Sequence, residues 1–162
     1  MAYSSAQIQE IVRSAARRYS IDEGIALRQI KQESGFNPNA VSSQGAQGLA
    51  QFIPGTWAIW GSGSPFDPVA AMEAWGKYFS HLLSKFGGDY RLALAGYHSG
   101  EGAAVAALRN CIGNPRTCAY VNAIMGGGIV SSLPTSPFTG QAPTTNYAPL
   151  VIVGVIALLF MR

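Results

Sequence analysis

Glu33 is the residue whose surroundings in this sequence best suit acid and base chemistry. Gln29 and Ile30 precede it by four and three positions, so a helix here would place its carboxylate on or beside the buried face. Apolar surroundings and the negative end of a helix dipole both disfavour the charged form of a carboxylate. Glu33 is therefore expected to be protonated near neutral pH, as a general acid for glycosidic-bond cleavage must be. A solvated glutamate in a last helical turn is the alternative interpretation.

A second carboxylate to work with Glu33 is difficult to find. The chain has eight acidic residues, of which Asp22, Asp67 and Asp89 are better explained as helix caps. Glu101 is the only tempting partner, and a charge at the start of a helix explains it better. The remaining glutamates fall in helical segments without a motif around them. A mechanism with one carboxylate is therefore favoured over hydrolysis by a carboxylate pair.

Three ordered segments carry a family resemblance. They are Gln-Glu-Ser-Gly-Phe-Asn-Pro at 32–38, Gly-Ala-Gln-Gly-Leu-Ala-Gln-Phe-Ile-Pro-Gly-Thr-Trp at 45–57, and Ala-Gly-Tyr-His-Ser-Gly at 95–100. In order and approximate spacing they resemble the Glu-Ser, Gly-Leu-Met-Gln and Ala-Tyr-Asn-Ala-Gly motifs of the soluble-lytic-transglycosylase family, which is related in fold to goose-type lysozyme. The likeness covers roughly residues 8–124.

The resemblance implies a peptidoglycan-cleaving enzyme that needs no metal or organic cofactor. Glu33 would protonate the bond between N-acetylmuramic acid and N-acetylglucosamine, then act as a base on the muramic acid 6-hydroxyl to form a 1,6-anhydro sugar. A muramidase of the same fold that uses water, and a non-catalytic cell-wall-binding or structural subunit, are the alternatives. The family's other site positions fall on Ser34 (active-site hydrogen bonding), Gly48 and Gln51 (saccharide cleft), and Tyr97 (close to the Glu33 carboxyl).

Two residues depart from the family pattern. Ala50 stands where the family usually has Met, which would open space in the cleft. His98 stands where it usually has Asn, so a group that titrates near neutrality replaces an amide. His98 is expected either to point to solvent or to a backbone carbonyl, or to be a polar contact of the cleft. The Asp67-Pro68 helix and the Tyr120-Val121 segment are interpreted as capping and core packing.

The elements that must position these residues are helices. Apolar residues recur at helical spacing, and no run alternates as a strand would over a useful length, so an all-α, lysozyme-like fold is predicted. The predicted helices span 6–19, 23–34, a brief segment within the loops of 42–63, 68–86, a segment that begins after Asp89, 103–108 and 120–125.

The composition of the chain limits which classes of binding partner are expected. With 48% hydrophobic and 12% charged residues the chain can bury a sizeable core, and a net charge of +3 spread along it does not indicate nucleic-acid binding. Cys111 and Cys118 lack the companion ligands of a zinc site, and they could form a short disulfide loop or remain thiols.

The C-terminal part of the chain changes composition after the glycines at 126–128. We expect a catalytic domain at 1–126, a Gly-, Ser-, Thr- and Pro-rich linker at 127–147, and an apolar tail at 148–162. Tyr147 and Arg162 flank the tail as interface anchors do, which favours a lipid membrane anchor; a helix docked on protein is the alternative. The first 18 residues do not resemble a signal peptide. Together these features suggest a virion-associated phage enzyme with possible virion-protein partners, or else a bacterial membrane protein.

Overall fold

The computed structural model describes residues 3–126, so the predicted linker and tail lie outside the described residues. That part of the chain is helical and has no β-strand, only two isolated bridges in the segment 41–52. The all-α prediction is confirmed there. The helices are α1 (Ser5–Arg18), α2 (Glu23–Ser34), α3 (Pro54–Trp60), α4 (Pro68–Lys85), α5 (Tyr90–Ser99), α6 (Ala104–Arg109) and α7 (Pro115–Met125).

Side-chain caps begin four of the helices. The Ser4 hydroxyl accepts from the Gln7 amide at the start of α1, and the predicted aspartate caps of α2, α4 and α5 all accept backbone N–H groups. These N–H groups have no partner within their own helix, so each cap stabilises the helix and fixes where it begins.

Helix α4 forms the centre of the core. Trp75, Phe79 and Leu82 on its buried face have no exposed surface. The helix packs against α1, α3 and α5, while α7 packs against α2 and α5. The end of α2 and the middle of α7 are thereby brought together.

The last helix is longer than the sequence predicted. It begins at Pro115 rather than Tyr120, because proline fits a first helical turn, where its missing N–H would have no partner. Cys111 and Cys118 form a disulfide that joins the turn before α7 to its first half, which decides between the two alternatives for these residues.

Within residues 3–126 no helix is both long and apolar enough to cross a membrane. The predicted anchor lies outside that range.

Candidate active site

Glu33 lies in the last turn of α2, which ends at Gly35 in the left-handed region (φ +62°). The side chain is half-buried. Burial raises the pKa of the Glu33 carboxyl from 4.5 to about 7, against a smaller lowering by a hydrogen bond from Tyr120. The raised pKa expected from the sequence is confirmed. At neutral pH this carboxyl is divided between its acid and base forms.

Tyr120 on α7 contacts Glu33 directly. Its hydroxyl donates to Glu33 Oε1 at 2.5 Å, while Val121 beside it is fully buried in the core. The packing interpretation was therefore right for Val121 and incomplete for Tyr120. A usable signal was present, because a phenol on a buried helical stripe needs a hydrogen-bond partner.

Two further polar groups behind Tyr120 were not identified from the sequence. Gln29 Nε2 donates to the Tyr120 hydroxyl at 3.1 Å, and the indole Nε1 of Trp75 donates to Gln29 Oε1 at 3.2 Å. Both residues are fully buried. The four-residue spacing of Gln29 and Glu33 on one helical face was the available signal.

Tyr97 on α5 lies near Glu33 but bonds elsewhere. Its hydroxyl donates to the backbone carbonyl of Ala50 at 2.7 Å, tying α5 to the segment 41–52. Burial, the charge of Glu33 and then Tyr78 raise the pKa of Tyr97 well above its ordinary value. Tyr97 is therefore neutral at physiological pH and serves as a donor.

The segment 41–52 is held by its own backbone and side chains. Gly48 is buried with φ +73°, and a Cβ there would lie 1.9 Å from the Pro65 carbonyl oxygen, so a larger residue would displace the loop. Gln51 adopts φ +51° and donates through Nε2 to the carbonyls of Gly48 (3.0 Å) and Ala40 (3.3 Å). Both residues thus shape the loop that faces α5.

Ser34 directs its hydroxyl to its own helix. Its Oγ donates to the Ile30 carbonyl at 3.3 Å, and the residue is half-buried beside Glu33. In this conformation it makes no hydrogen bond to the Glu33 carboxyl.

His98 in the last turn of α5 meets α7. Its Nδ1 lies 3.2 Å from Thr117 Oγ1, and its ring centroid lies 4.7 Å from that of Tyr120, although the residue as a whole is exposed. Burial of part of the ring, and then the charge of Arg116, lower the pKa of His98 below its ordinary value. His98 therefore contacts the side chain of Thr117. One expectation from the sequence was a contact with a backbone carbonyl instead.

The other seven acidic residues all lie within residues 3–126 and are engaged elsewhere. Glu101 was expected to be a helix-start charge, but it lies in the turn before α6, where it pairs with Lys85 at 2.7 Å and His81 at 3.3 Å of α4. Burial alone would raise its pKa, yet these partners outweigh that effect and lower it. The three aspartates are caps, and Glu10, Glu23 and Glu73 pair with arginines of α1.

The described residues offer no cluster of three or more His, Cys, Asp or Glu side chains that could hold a metal ion. The titratable side chains that lie together at this site are Glu33, Tyr97, Tyr120 and His98. The arrangement can donate and accept one proton at a half-buried carboxyl.

Known proteins resemble the chain in sequence. Residues 10–113 match the family model of the transglycosylase SLT domain. The transglycosylase of Enterobacteria phage PRD1 is 25% identical over 146 residues, covering 90% of this chain and 54% of that protein. Membrane-bound lytic murein transglycosylase C of Mannheimia succiniciproducens is 35% identical over 112 residues, covering 57% and 31% respectively.

Solved structures agree in fold. The 70 kDa soluble lytic transglycosylase of Escherichia coli superposes with a TM-score of 0.60 and 26% identity, covering 72% of this chain and 22% of that protein. The chain spans about a third to a half of the two sequence relatives named above. Since the family model matches well over half of its residues, the chain belongs to the transglycosylase SLT domain family.

Proposed function

We propose that this chain is a lytic transglycosylase that cleaves the β-1,4 bond between N-acetylmuramic acid and N-acetylglucosamine in peptidoglycan and forms a 1,6-anhydromuramoyl product. The main support for the proposal is the state of Glu33. Its carboxyl is half-buried, has a pKa of about 7 and accepts a hydrogen bond from Tyr120. A group with such a pKa can give up and regain a proton near neutral pH, as one residue acting in both roles must.

The reaction needs only one such group. Protonated Glu33 gives its proton to the glycosidic oxygen as the bond between that oxygen and the muramic acid C1 breaks. The carboxylate then takes the proton of the muramic acid 6-hydroxyl as its oxygen bonds to C1. The carboxyl is regenerated and no water is consumed, so the engagement of every other acidic residue elsewhere is consistent with this route.

The neighbouring residues have proposed roles in binding the glycan strand. Tyr97 and the loop of Gly48 and Gln51 would form one wall of the saccharide cleft, because the Tyr97 hydroxyl ties that loop to α5. Ser34 would bind sugar by turning its hydroxyl away from the Ile30 carbonyl. His98 would contact the substrate with the exposed part of its ring, beside Tyr120.

Digestion of isolated peptidoglycan by the full-length chain tests the proposal. Mass spectrometry of the released muropeptides should show anhydro ends, which are lighter by one water than reducing ends. Reducing ends would show a muramidase of the same fold, and binding without release would show a non-catalytic wall-binding protein. Either result would contradict the proposed activity.

We further propose that the protein is carried by a phage particle, anchored to a lipid membrane by residues 148–162, and opens the cell wall during entry. Similarity to the PRD1 transglycosylase over 90% of this chain supports the phage origin. The apolar composition of residues 148–161, which include no charged side chain, supports the anchor.

A further inference from the structure

A chain of three hydrogen bonds leads from the protein interior to Glu33. Trp75 Nε1 donates to Gln29 Oε1 at 3.2 Å. Gln29 Nε2 in turn donates to the Tyr120 hydroxyl at 3.1 Å. That hydroxyl donates to Glu33 Oε1 at 2.5 Å. The chain joins α4, α2 and α7, and all three bonds point in the same direction, towards Glu33.

Trp75 sets this direction. An indole N–H can only donate, so the atom of Gln29 that faces it must be the carbonyl oxygen. The NH2 group of the same amide then faces Tyr120, whose oxygen must accept. The single hydrogen of the Tyr120 hydroxyl is thereby left for Glu33. Without the indole, the side-chain amide of Gln29 could rotate and exchange the positions of its oxygen and nitrogen. The Tyr120 hydroxyl could then donate to the Gln29 oxygen instead of to Glu33.

The direction has a consequence for the acid form of Glu33. Because Oε1 already accepts the hydrogen of Tyr120, a proton on Oε1 would place two hydrogens between the same two oxygens. The acid proton therefore belongs on Oε2. The network thus keeps the transferable proton on the oxygen that Tyr120 does not cover.

A buried polar side chain at position 29 would destabilise the fold unless its polar groups were hydrogen-bonded. Gln29 has no exposed surface, and it is one of three buried polar residues among those described, with Thr56 and Thr117. A buried amide is tolerated only when its groups are paired, and a leucine of similar size would fill the same space without that requirement. Both ends of Gln29 are paired, one of them to the partner of Glu33.

We propose that Gln29, oriented by Trp75, is a positioning residue that makes Tyr120 a dedicated hydrogen-bond donor to Glu33. Any effect of Gln29 on turnover rests on the proposed acid and base role of Glu33. The hydrogen-bond geometry does not depend on that role, so the test can be made without substrate.

The test is a carbon-13 NMR titration of the Glu33 carboxyl in the full-length chain. Tyr120→Phe should raise the pKa of Glu33, because the lost bond stabilises the ionised form. Gln29→Leu should produce a smaller rise, because the Tyr120 oxygen is then free to accept a hydrogen bond from the neutral carboxyl. Trp75→Phe should also raise it, although the indole bonds only to Gln29, and this effect should vanish in a Gln29→Leu background.

Thr56→Val is the matched control, since it removes a buried hydroxyl elsewhere and should leave the Glu33 titration unchanged. The proposal is wrong if Gln29→Leu leaves the pKa at its wild-type value while Tyr120→Phe raises it. Should Trp75→Phe fail to fold, two results together decide: Gln29→Leu must raise the pKa of Glu33 by itself, and it must add nothing in a Tyr120→Phe background. A wild-type chain that makes no anhydro product would contradict the proposed function while leaving these titrations interpretable.

Discussion

The Tyr120 hydroxyl donates a 2.5 Å hydrogen bond to Glu33 Oε1 and so joins residues 87 positions apart. The bond favours the charged form of the carboxyl, whereas burial favours the neutral form more strongly. The balance leaves a carboxyl with a pKa of about 7. The first two predictions follow from that value.

Replacement of Glu33 by Gln should abolish turnover of peptidoglycan while leaving the fold intact. The amide keeps the shape of the side chain and can still accept from Tyr120, but it cannot cycle a proton. We expect a loss of at least ~100-fold in the rate of muropeptide release, with an unchanged far-UV circular dichroism spectrum. Glu101→Gln is the control and should retain most activity, since that carboxylate pairs with Lys85 and His81. Substantial activity in Glu33→Gln would exclude Glu33 as the acid.

The same variant should change how stability depends on pH. The pKa of Glu33 is raised in the folded protein, so its contribution to stability is fully present below about pH 4.5 and is lost as the pH rises through about 7. Glu33→Gln lacks this loss. Urea unfolding should show the variant to be more stable than wild type by about 3 kcal/mol at about pH 8.5, with little difference at about pH 4. An equal difference at both pH values would contradict the raised pKa.

His98→Asn should flatten the acid limb of the activity profile. Protonation of His98 adds a positive charge beside Tyr120, and it removes the ability of Nδ1 to accept from Thr117. Burial and Arg116 lower the pKa of His98, so this limb should lie below the ordinary range for histidine. Initial rates of peptidoglycan release across the acid range measure it. His81→Asn is the matched control, and an identical profile for wild type and His98→Asn would show that His98 does not affect turnover.

Loss of the disulfide should destabilise the domain by about 2 kcal/mol, because the bond closes a short loop and restricts the unfolded chain. The measurement is urea unfolding of wild type and of the Cys111→Ser, Cys118→Ser double variant. A reductant should lower the stability of the wild type and leave the double variant unchanged. Equal stability of oxidised and reduced wild type would refute a stabilising disulfide.

The proposed tail anchor predicts binding of the full-length chain to lipid vesicles. Ile156→Asp should weaken flotation with vesicles at least ~10-fold, because a carboxylate within hydrocarbon is strongly unfavourable. Thr145→Asp adds the same charge outside the apolar run and should float as the wild type does. If the wild-type chain stays soluble without detergent and does not float, the anchor proposal fails.

Most of the helices and the place of Glu33 on its helix follow from the sequence alone. Asp22, Asp67 and Asp89 cap the helices that their positions predicted, because a cap bonds to backbone groups two or three residues away. Helical periodicity likewise placed Glu33 beside a buried face at the end of α2. These are short-range relationships, which adjacent residues encode directly.

The surroundings of that carboxyl depend on how the helices pack against one another. Tyr120, the hydrogen-bond partner of Glu33, comes from α7, and Trp75, which bonds to Gln29, comes from α4, so no local spacing relates these residues to Glu33. The contact of His98 with Tyr120 depends in the same way on how α5 packs against α7. Side chains far apart in sequence meet only when helices pack, and burial by that packing is what raises the pKa of Glu33 to about 7.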